Sequence, residues 1–517
     1  MSDLPKREIK NILSGDNART ALVAGAKKIF DVVSSTYGPA GNNVILGMPY
    51  GDSTLTRDGV TVAKRVILKD RAEDDAAQIL RQASEKTNKT AGDGTTATIV
   101  LGYHLFNRGN RLVAAGENGM VLKRQIVKDS QVVIDWLNKQ SISATDYLLE
   151  VATVSAGDPA IGQLVSETLL DIGTSGGITI REQEYPTTDV EKVNGYYFDR
   201  GFFALNAQVE LSKPHIFVTQ KQISSNADVV PILAAVLKDD NKKLVIIGDV
   251  RMNSDAMTTL FLNLREKVAM GFEVVIIPPP AYNDEASAFM EDIAIYTGAK
   301  VYLTGDDLKD LSIDDFGSAE RVQLNADRAI LFRGAGATND IVDRAAIIRD
   351  SIDKETNANR KDTLEQRLAK LTGKIAIVNV GGSTQTEMEE LRYRVEDAIE
   401  ATKSAMSDGV LPGGATMLVR ASELKISKLY KDALQDTFNK LMTNAAEKAD
   451  YRLEQVLRSE PGFGFNLRDI SKDPIDLAKA GIWDATRAVI QTVENATSAA
   501  GSLLTVGSIV DPIDEEL

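Results

Sequence analysis

Hydrophobic spacing changes twice along these 517 residues, and that change limits what the chain can fold into. Up to about residue 140 apolar side chains recur at helical intervals. Val23, Ala26, Ile29, Phe30 and Val33 share one face, and the run stops at Tyr37-Gly38-Pro39. Asn43-Val44-Ile45-Leu46 reads as a short strand, Ala72 to Thr90 as a second helix, and a third starts at Thr95. A fourth carries Val121, Ile126, Val133 and Leu137. From about 195 to 375, short β-branched runs (Ile216-Phe217-Val218, Leu244 to Ile247, Val274 to Ile277, Ala329 to Phe332) alternate with helical segments, the pattern of an α/β module. Beyond about 380 long helices return, one marked by Met388, Leu391, Val395, Ala398, Thr402 and Ala405, another expected over 478–504. Helix, α/β, helix suggests a middle module inserted into a helical domain built from both chain ends. The acidic end, Asp511 to Leu517, is expected to fray.

Composition narrows the chemistry. A chain 43% hydrophobic and 26% charged is globular and long enough for several domains. A net charge of −15 argues against nucleic acid as the main partner. The absence of cysteine excludes disulfides, thiolate catalysis and cysteine-built metal sites. With two histidines only, His104 and His215, acid–base chemistry falls to carboxylates; His104, in an apolar helical stretch, reads as structural. The N-terminus lacks a signal-peptide apolar region, and no apolar run reaches the roughly 20 residues of a membrane span. The expectation is a cytoplasmic protein with no membrane partner.

Four glycine turns stand at helix or strand ends: Thr36-Tyr37-Gly38-Pro39-Ala40-Gly41, Thr56-Arg57-Asp58-Gly59-Val60-Thr61, Ala91-Gly92-Asp93-Gly94-Thr95-Thr96-Ala97-Thr98, and Asp408-Gly409-Val410-Leu411-Pro412-Gly413-Gly414-Ala415. The third is the most informative. Backbone N–H groups at a helix mouth hold phosphate, and a carboxylate beside them can hold the cation that a nucleotide brings. Its plain alternative is a helix start capped by Asp93 or Thr95. Gly92 to Ala97 formally matches a dinucleotide fingerprint, but Gln82 to Lys89 before it reads as helix where that fingerprint needs a strand. No Walker A sequence occurs; at Gly373-Lys374 the required upstream glycine and the following Ser or Thr are missing. Asp397, by spacing alone, is a solvated acid paired with Arg394 three residues earlier.

These motifs, in this order and over nearly the whole chain, resemble the group I chaperonins, the GroEL-type family. The first two glycine turns look like that family's first two nucleotide loops, and Ala91 to Thr96 like its hallmark phosphate loop. Phe198-Asp199-Arg200-Gly201-Phe202 resembles the start of the apical domain; Arg394-Val395-Glu396-Asp397-Ala398 and Gly409 to Gly414 resemble the return to the equatorial domain. The resemblance implies a multidomain α and α/β fold: a helical equatorial domain (1–139 and 408–517), a small intermediate domain (140–193 and 376–407) and an α/β apical domain (194–375). It implies ATP and Mg²⁺, with K⁺ as a further cation, and a homo-oligomeric, commonly heptameric, ring that encloses unfolded client proteins, with a co-chaperonin lid as a possible partner.

Carried over residue by residue, the resemblance places Thr36, Tyr37, Gly38 and Pro39 along the α-phosphate and sugar, and Arg57 in the second nucleotide loop. Asp93 would hold the metal, while Gly94, Thr95, Thr96 and Ala97 form the phosphate loop. Gly414, Asn466 and Asp484 would sit by base and ribose. Asp58 would act near the γ-phosphate, and Asp397 would orient and deprotonate the attacking water. Phe202, Val230, Leu233, Met257, Phe261 and Leu262 would form the client-binding face. The chain departs from the family pattern in places. Arg57 stands where lysine is usual, Ala97 replaces a third threonine, Ala415 replaces a third glycine, and Leu467-Arg468 follow Asn466 where small residues are typical. Asn206 and Ala207 replace aromatics, a Gly-Met tail is missing, and the segment before Phe463, where ring-to-ring contacts are expected, is short, which puts a double ring in doubt. Such departures suit a specialised or virus-encoded member. Two other readings remain: a ring-forming protein-binding scaffold with weak or lost ATPase, and a Mg²⁺-dependent small-molecule phosphotransferase.

Overall fold

A computed structural model of the chain describes residues 10–512 other than 48–53, 174–177, 184, 186, 199, 203–208, 267–272, 281–285, 310 and 327. Asp199, Asn206 and Ala207 therefore lie outside the described residues, as do the side chains of Phe261 and Leu262. Contacts divide the chain into two units. One comprises Met1–Leu169, Glu184–Pro186 and Gly381–Leu517; the other comprises Leu170–Gln183 and Thr187–Val380.

The first unit is helical and draws on both ends of the chain. Asp16–Val33, Arg71–Ala91, Thr95–Ala114, Gly119–Gln140 and Thr486–Leu504 bury their apolar faces in one core that includes Ile29, Leu80, Leu105, Val133 and Val493. Small residues set how closely these helices approach. A Cβ on Gly25 would fall 1.8 Å from the Glu73 carbonyl oxygen, so only glycine lets Asp16–Val33 lie against Arg71–Ala91. Lys10–Ser14 pairs antiparallel with Ser508–Pro512, which stitches the two ends together. Asp511 and Pro512 are thus strand residues rather than a frayed tail: pairing opposite Asn11 and Lys10 outweighs the acidic composition. The helix expected over 478–504 begins only at Thr486. Gly481 takes a left-handed φ of 67°, and Trp483–Ala485 pairs instead with Val410–Pro412.

Among the described residues the second unit is built on a ten-stranded mixed sheet. His215–Thr219, Lys243–Ile247 and Glu273–Ile277 run parallel, and their central residues, Leu244–Ile247 and Val274–Ile277, are buried throughout. Unbroken apolar runs are what parallel strands covered on both faces require. Towards the other edge Gly317–Leu324, Ala329–Gly334, Asp189–Phe198 and Lys374–Gly381 run antiparallel. Helices Asn226–Val236, Ala286–Thr297 and Thr338–Lys354 add residues such as Ile232, Ile293 and Ile348 to its core. Asp292, fully buried, is held by Arg367 Nε at 2.7 Å and Arg344 Nε at 2.7 Å, so charge is neutralised where water cannot reach.

Candidate functional site

In the first unit a cavity of about 460 Å³ opens beside the turn Gly92-Asp93-Gly94. Three helices fix that turn. Ser84 Oγ donates to Thr95 O at 3.0 Å, Thr87 and Thr98 share a 2.9 Å hydroxyl contact, and Asn495 Nδ2 donates to Thr87 Oγ1 at 3.0 Å. Thr492 Oγ1 adds a bond to Gly94 O at 3.2 Å. These groups are polar yet inside the helix packing, so each satisfies another and the backbone between them has one arrangement. Gly92 and Gly94 take φ of 68° and 82°, a conformation that only glycine adopts freely. They flank Asp93 and aim the start of Thr95–Ala114 at the cavity. No side chain caps that 20-residue helix, so neither Asp93 nor Thr95 serves as the cap that the plain reading required. The first-turn N–H groups of Thr95, Thr96 and Ala97 have no intrahelical acceptor, and these residues line the cavity, where an anion would satisfy them.

The other glycine turns form further walls. Asn444 Nδ2 donates to Ser34 O and Tyr37 O at 2.8 and 2.9 Å, fixing the first turn. Arg57 Nη1 reaches Pro39 O at 3.3 Å and ties the second turn to the first. A Cβ on Gly59 would lie 2.0 Å from Thr96 Oγ1, so the second turn rests directly on the phosphate-loop hydroxyls. Asp58 is already employed. Its carboxylate caps Gly59–Arg65, accepting from Val60 N at 3.3 Å and Thr61 N at 2.8 Å, which holds it rigidly at the cavity edge. Asp484 enters on the Trp483–Ala485 strand, and Gly413 packs within 2.9 Å of its carboxylate at the position a Cβ would take.

The cavity therefore collects Tyr37, Gly38, Pro39, Arg57, Asp58, Asp93 to Ala97, Asp397, Gly414, Asn466 and Asp484. Thr36 is not on its wall. Its side chain is buried and its hydroxyl donates to Val33 O at 2.9 Å, closing the helix end instead. Sequence reasoning did not single out as site residues the Thr153–Gly157 segment, Glu390 and Tyr393, the guanidinium ends of Arg394 and Arg468, or Ala480 to Ile482.

Electrostatically the cavity is short of positive charge on its acidic side. Burial raises the Asp93 carboxyl above its ordinary range, Asp58 raises it further, and only the Gly94 N–H opposes this. Asp93 is exposed on the cavity wall, so solvent in the cavity moderates this desolvation. Asp397 is pushed well above the carboxylate range, first by burial, then by Asp58 and Asp93, then by Glu396 and Glu400. It makes no ion pair with Arg394, which turns towards Glu390 instead, so the helical pairing expected from spacing is not formed. Asp484 is raised to about 7 by burial and by Asp93. Among the described residues no three acids or imidazoles converge to ligate an ion unaided. One carboxylate is nonetheless enough for a magnesium ion that takes its other ligands from phosphate oxygens and water, while the N–H groups bind the phosphate.

This architecture agrees with a family match. The sequence fits the TCP-1/cpn60 chaperonin family over residues 29–244 and 280–513. The chain belongs to that family. Two solved structures of the chaperonin gp146 from the bacteriophage EL 2 (Pseudomonas aeruginosa), both in the presence of ATP-BeFx, share its fold. Crystal form II matches with TM-score 0.72 and 21% identity, covering 96% of this chain and 98% of the other. Crystal form I matches with TM-score 0.64 and 22% identity, covering 98% and 99%. The multidomain α and α/β chaperonin fold is thereby shown.

The second unit of the chaperonin carries the residues expected to meet client protein. Val230 on Asn226–Val236 is 58% exposed, and Leu233 on the same helix is half-buried. Phe202 and Met257 correct the expectation. They are 1% and 6% exposed and belong to the core, because packing against the sheet takes the apolar face that sequence alone could not orient. Among the described residues no helix is long and apolar enough to cross a membrane.

Proposed function

We propose that this chaperonin binds ATP in the cavity beside Asp93, hydrolyses it, and uses the cycle to assist the folding of non-native proteins within a homo-oligomeric ring. The observation that carries the reading is the uncapped start of Thr95–Ala114 meeting a carboxylate in the same cavity. The N–H groups of Thr95, Thr96 and Ala97 would hold phosphate oxygens, and Asp93 would hold Mg²⁺. The magnesium ion, with K⁺ as a further cation, supplies the positive charge that a Walker lysine provides elsewhere. Asn466, Gly414 and Asp484 would receive base and ribose.

Phosphoryl transfer depends on positioning and charge more than on covalent chemistry. Asp397 suits the base in that scheme. Its raised proton affinity moves it towards the working pH, where a base is most effective. Asp58, fixed as a helix cap, would align the γ-phosphate end rather than move protons. The proposed division keeps 140–193 and 376–407 as the intermediate segment, 1–139 and 408–517 as the equatorial body and 194–375 as the apical domain. Val230 and Leu233 are the proposed client contacts in the second unit, since apolar burial has no direction and suits clients of many sequences. Cytoplasmic localisation, a heptameric ring and a lid partner belong to the same proposal.

The test compares nucleotide binding with phosphate release. Asp397→Ala should bind ATP with nearly parental affinity and lose turnover by about 10²–10⁴-fold. Parental turnover in that variant would refute the base assignment. Parental binding with no turnover in the unmodified protein would favour a scaffold without ATPase.

A further inference from the structure

Gly157 ends the helix Leu148–Ala156 with a left-handed φ of 68° and stands at the centre of a cluster of positive charge. A Cβ placed on it would lie 3.4 Å from Arg468 Nη2 and 3.8 Å from both Arg394 Nη2 and Arg57 Nη2. Three guanidinium ends from distant parts of the chain thus meet within 4 Å of one point. Their counter-charges do not match them. Arg394 Nε stands 3.9 Å from Glu390 Oε1, too far for a hydrogen bond, and that buried Nε has no hydrogen-bond partner. Arg57 spends one nitrogen on the Pro39 carbonyl. Arg468 is exposed and forms no ion pair among the described residues. Burial, then Arg394 and, less strongly, Arg468 hold the Arg57 guanidinium below the usual arginine range against the opposing charge of Glu390.

Three like charges gathered around one acid, Glu390, destabilise one another unless a further anion sits among them. Phosphate is an anion whose oxygens match several guanidinium forks at once. The cluster also adjoins the phosphate loop. All three arginines line the cavity that Thr95 and Thr96 line, and Arg57 directly precedes the Asp58-Gly59 turn that rests on Thr96. Arg394 lies one helical turn before Asp397 on Gln385–Asp408.

We propose that Arg57, Arg394 and Arg468 form an anion subsite for a phosphate group. It would hold the terminal phosphate of a bound nucleotide before cleavage and the freed orthophosphate after it. This rests on the nucleotide reading above and adds the residues that distinguish a triphosphate from a diphosphate. Arg468 is the specificity residue, because among the described residues neither a carbonyl nor an acid engages its guanidinium.

Calorimetric titration of the full chain with ADP, with β,γ-imido-ATP and with inorganic pyrophosphate alone tests the subsite, each for the parent and for Arg468→Ala. Arg468 is exposed, so its truncation leaves the fold intact. ADP affinity should stay within about twofold, while affinity for the triphosphate analogue falls about tenfold or more. Pyrophosphate binding should be lost, and added orthophosphate should tighten ADP binding in the parent only. Arg468→Lys, which keeps the charge without the fork, should recover part of the loss. Equal losses for ADP and the analogue would place Arg468 against the nucleoside and overturn the subsite; so would unchanged binding of all three ligands. A parent that bound pyrophosphate through Arg468 but bound neither nucleotide would uphold the subsite and overturn the nucleotide reading.

Discussion

Asp484→Asn should stabilise the nucleotide-free protein, and by an amount that depends on pH in one direction only. Asp484 lies on the wall of a cavity shared with Asp58, Asp93 and Asp397, and burial together with Asp93 raises its carboxyl from an ordinary 3.8 to about 7. In the unfolded chain it ionises near 3.8; in the folded protein it resists until about 7. Between those values the folded state binds more protons, so folding stability falls as pH rises. Below 3.8 both states are protonated and the carboxyl costs nothing; above about 7 the full penalty stands. A shift of about three pH units sets an upper limit of about 4 kcal/mol. Water at the cavity mouth screens the charges and brings the expected value to about 1–3 kcal/mol. Asparagine carries no such penalty. The difference between variant and parent should be near zero at pH 4, grow through pH 5 and 6, and level off above pH 7. Urea unfolding followed by tryptophan fluorescence is suited to this, because the two tryptophans, Trp136 and Trp483, both belong to the helical unit. A difference that stays flat with pH, or a variant less stable than the parent at pH 8, would refute the reasoning.

Three further expectations follow from particular contacts. Gly59→Ala would drive a methyl group into Thr96 Oγ1, which must turn away, so ATP affinity measured by calorimetry should drop about tenfold while the helical content by circular dichroism is retained. Arg367→Ala leaves the fully buried Asp292 with Arg344 alone and should destabilise the second unit by about 3 kcal/mol, read as faster hydrogen exchange in its parallel strands; a loss under about 1 kcal/mol would mean that Arg344 suffices. Val230→Glu should weaken suppression of client aggregation measured by light scattering without changing ATP turnover, and parental suppression would remove Val230 from the client face.

Much of the fold was legible because its signals are local. The helices Asp16–Val33, Arg71–Ala91 and Thr95–Ala114 and the strands around Ile216, Val245 and Val275 follow from hydrophobic period and from glycine punctuation. The strand pairing of Lys10–Ser14 with Ser508–Pro512 was not legible, because the partners are separated by almost the whole chain and neither is strongly apolar. The glycine turns of the site carry a chemical signature in sequence; Gly157, Tyr393 and Arg468 carry none, and only folding brings them to the same cavity. Thr36 and Phe202 were misplaced for one reason. A hydroxyl or an aromatic ring in a sequence does not disclose which way its backbone will turn it: Thr36 faces its own helix end and Phe202 faces the core.

The proposed function requires one placement, a triphosphate against the uncapped start of Thr95–Ala114. A density map of the protein prepared with magnesium and β,γ-imido-ATP tests it most directly. Phosphate oxygens on the N–H groups of Thr95, Thr96 and Ala97, with a metal ion on Asp93, are the predicted result. A cavity without nucleotide under saturating conditions, or a nucleotide bound elsewhere on the chain, would contradict it.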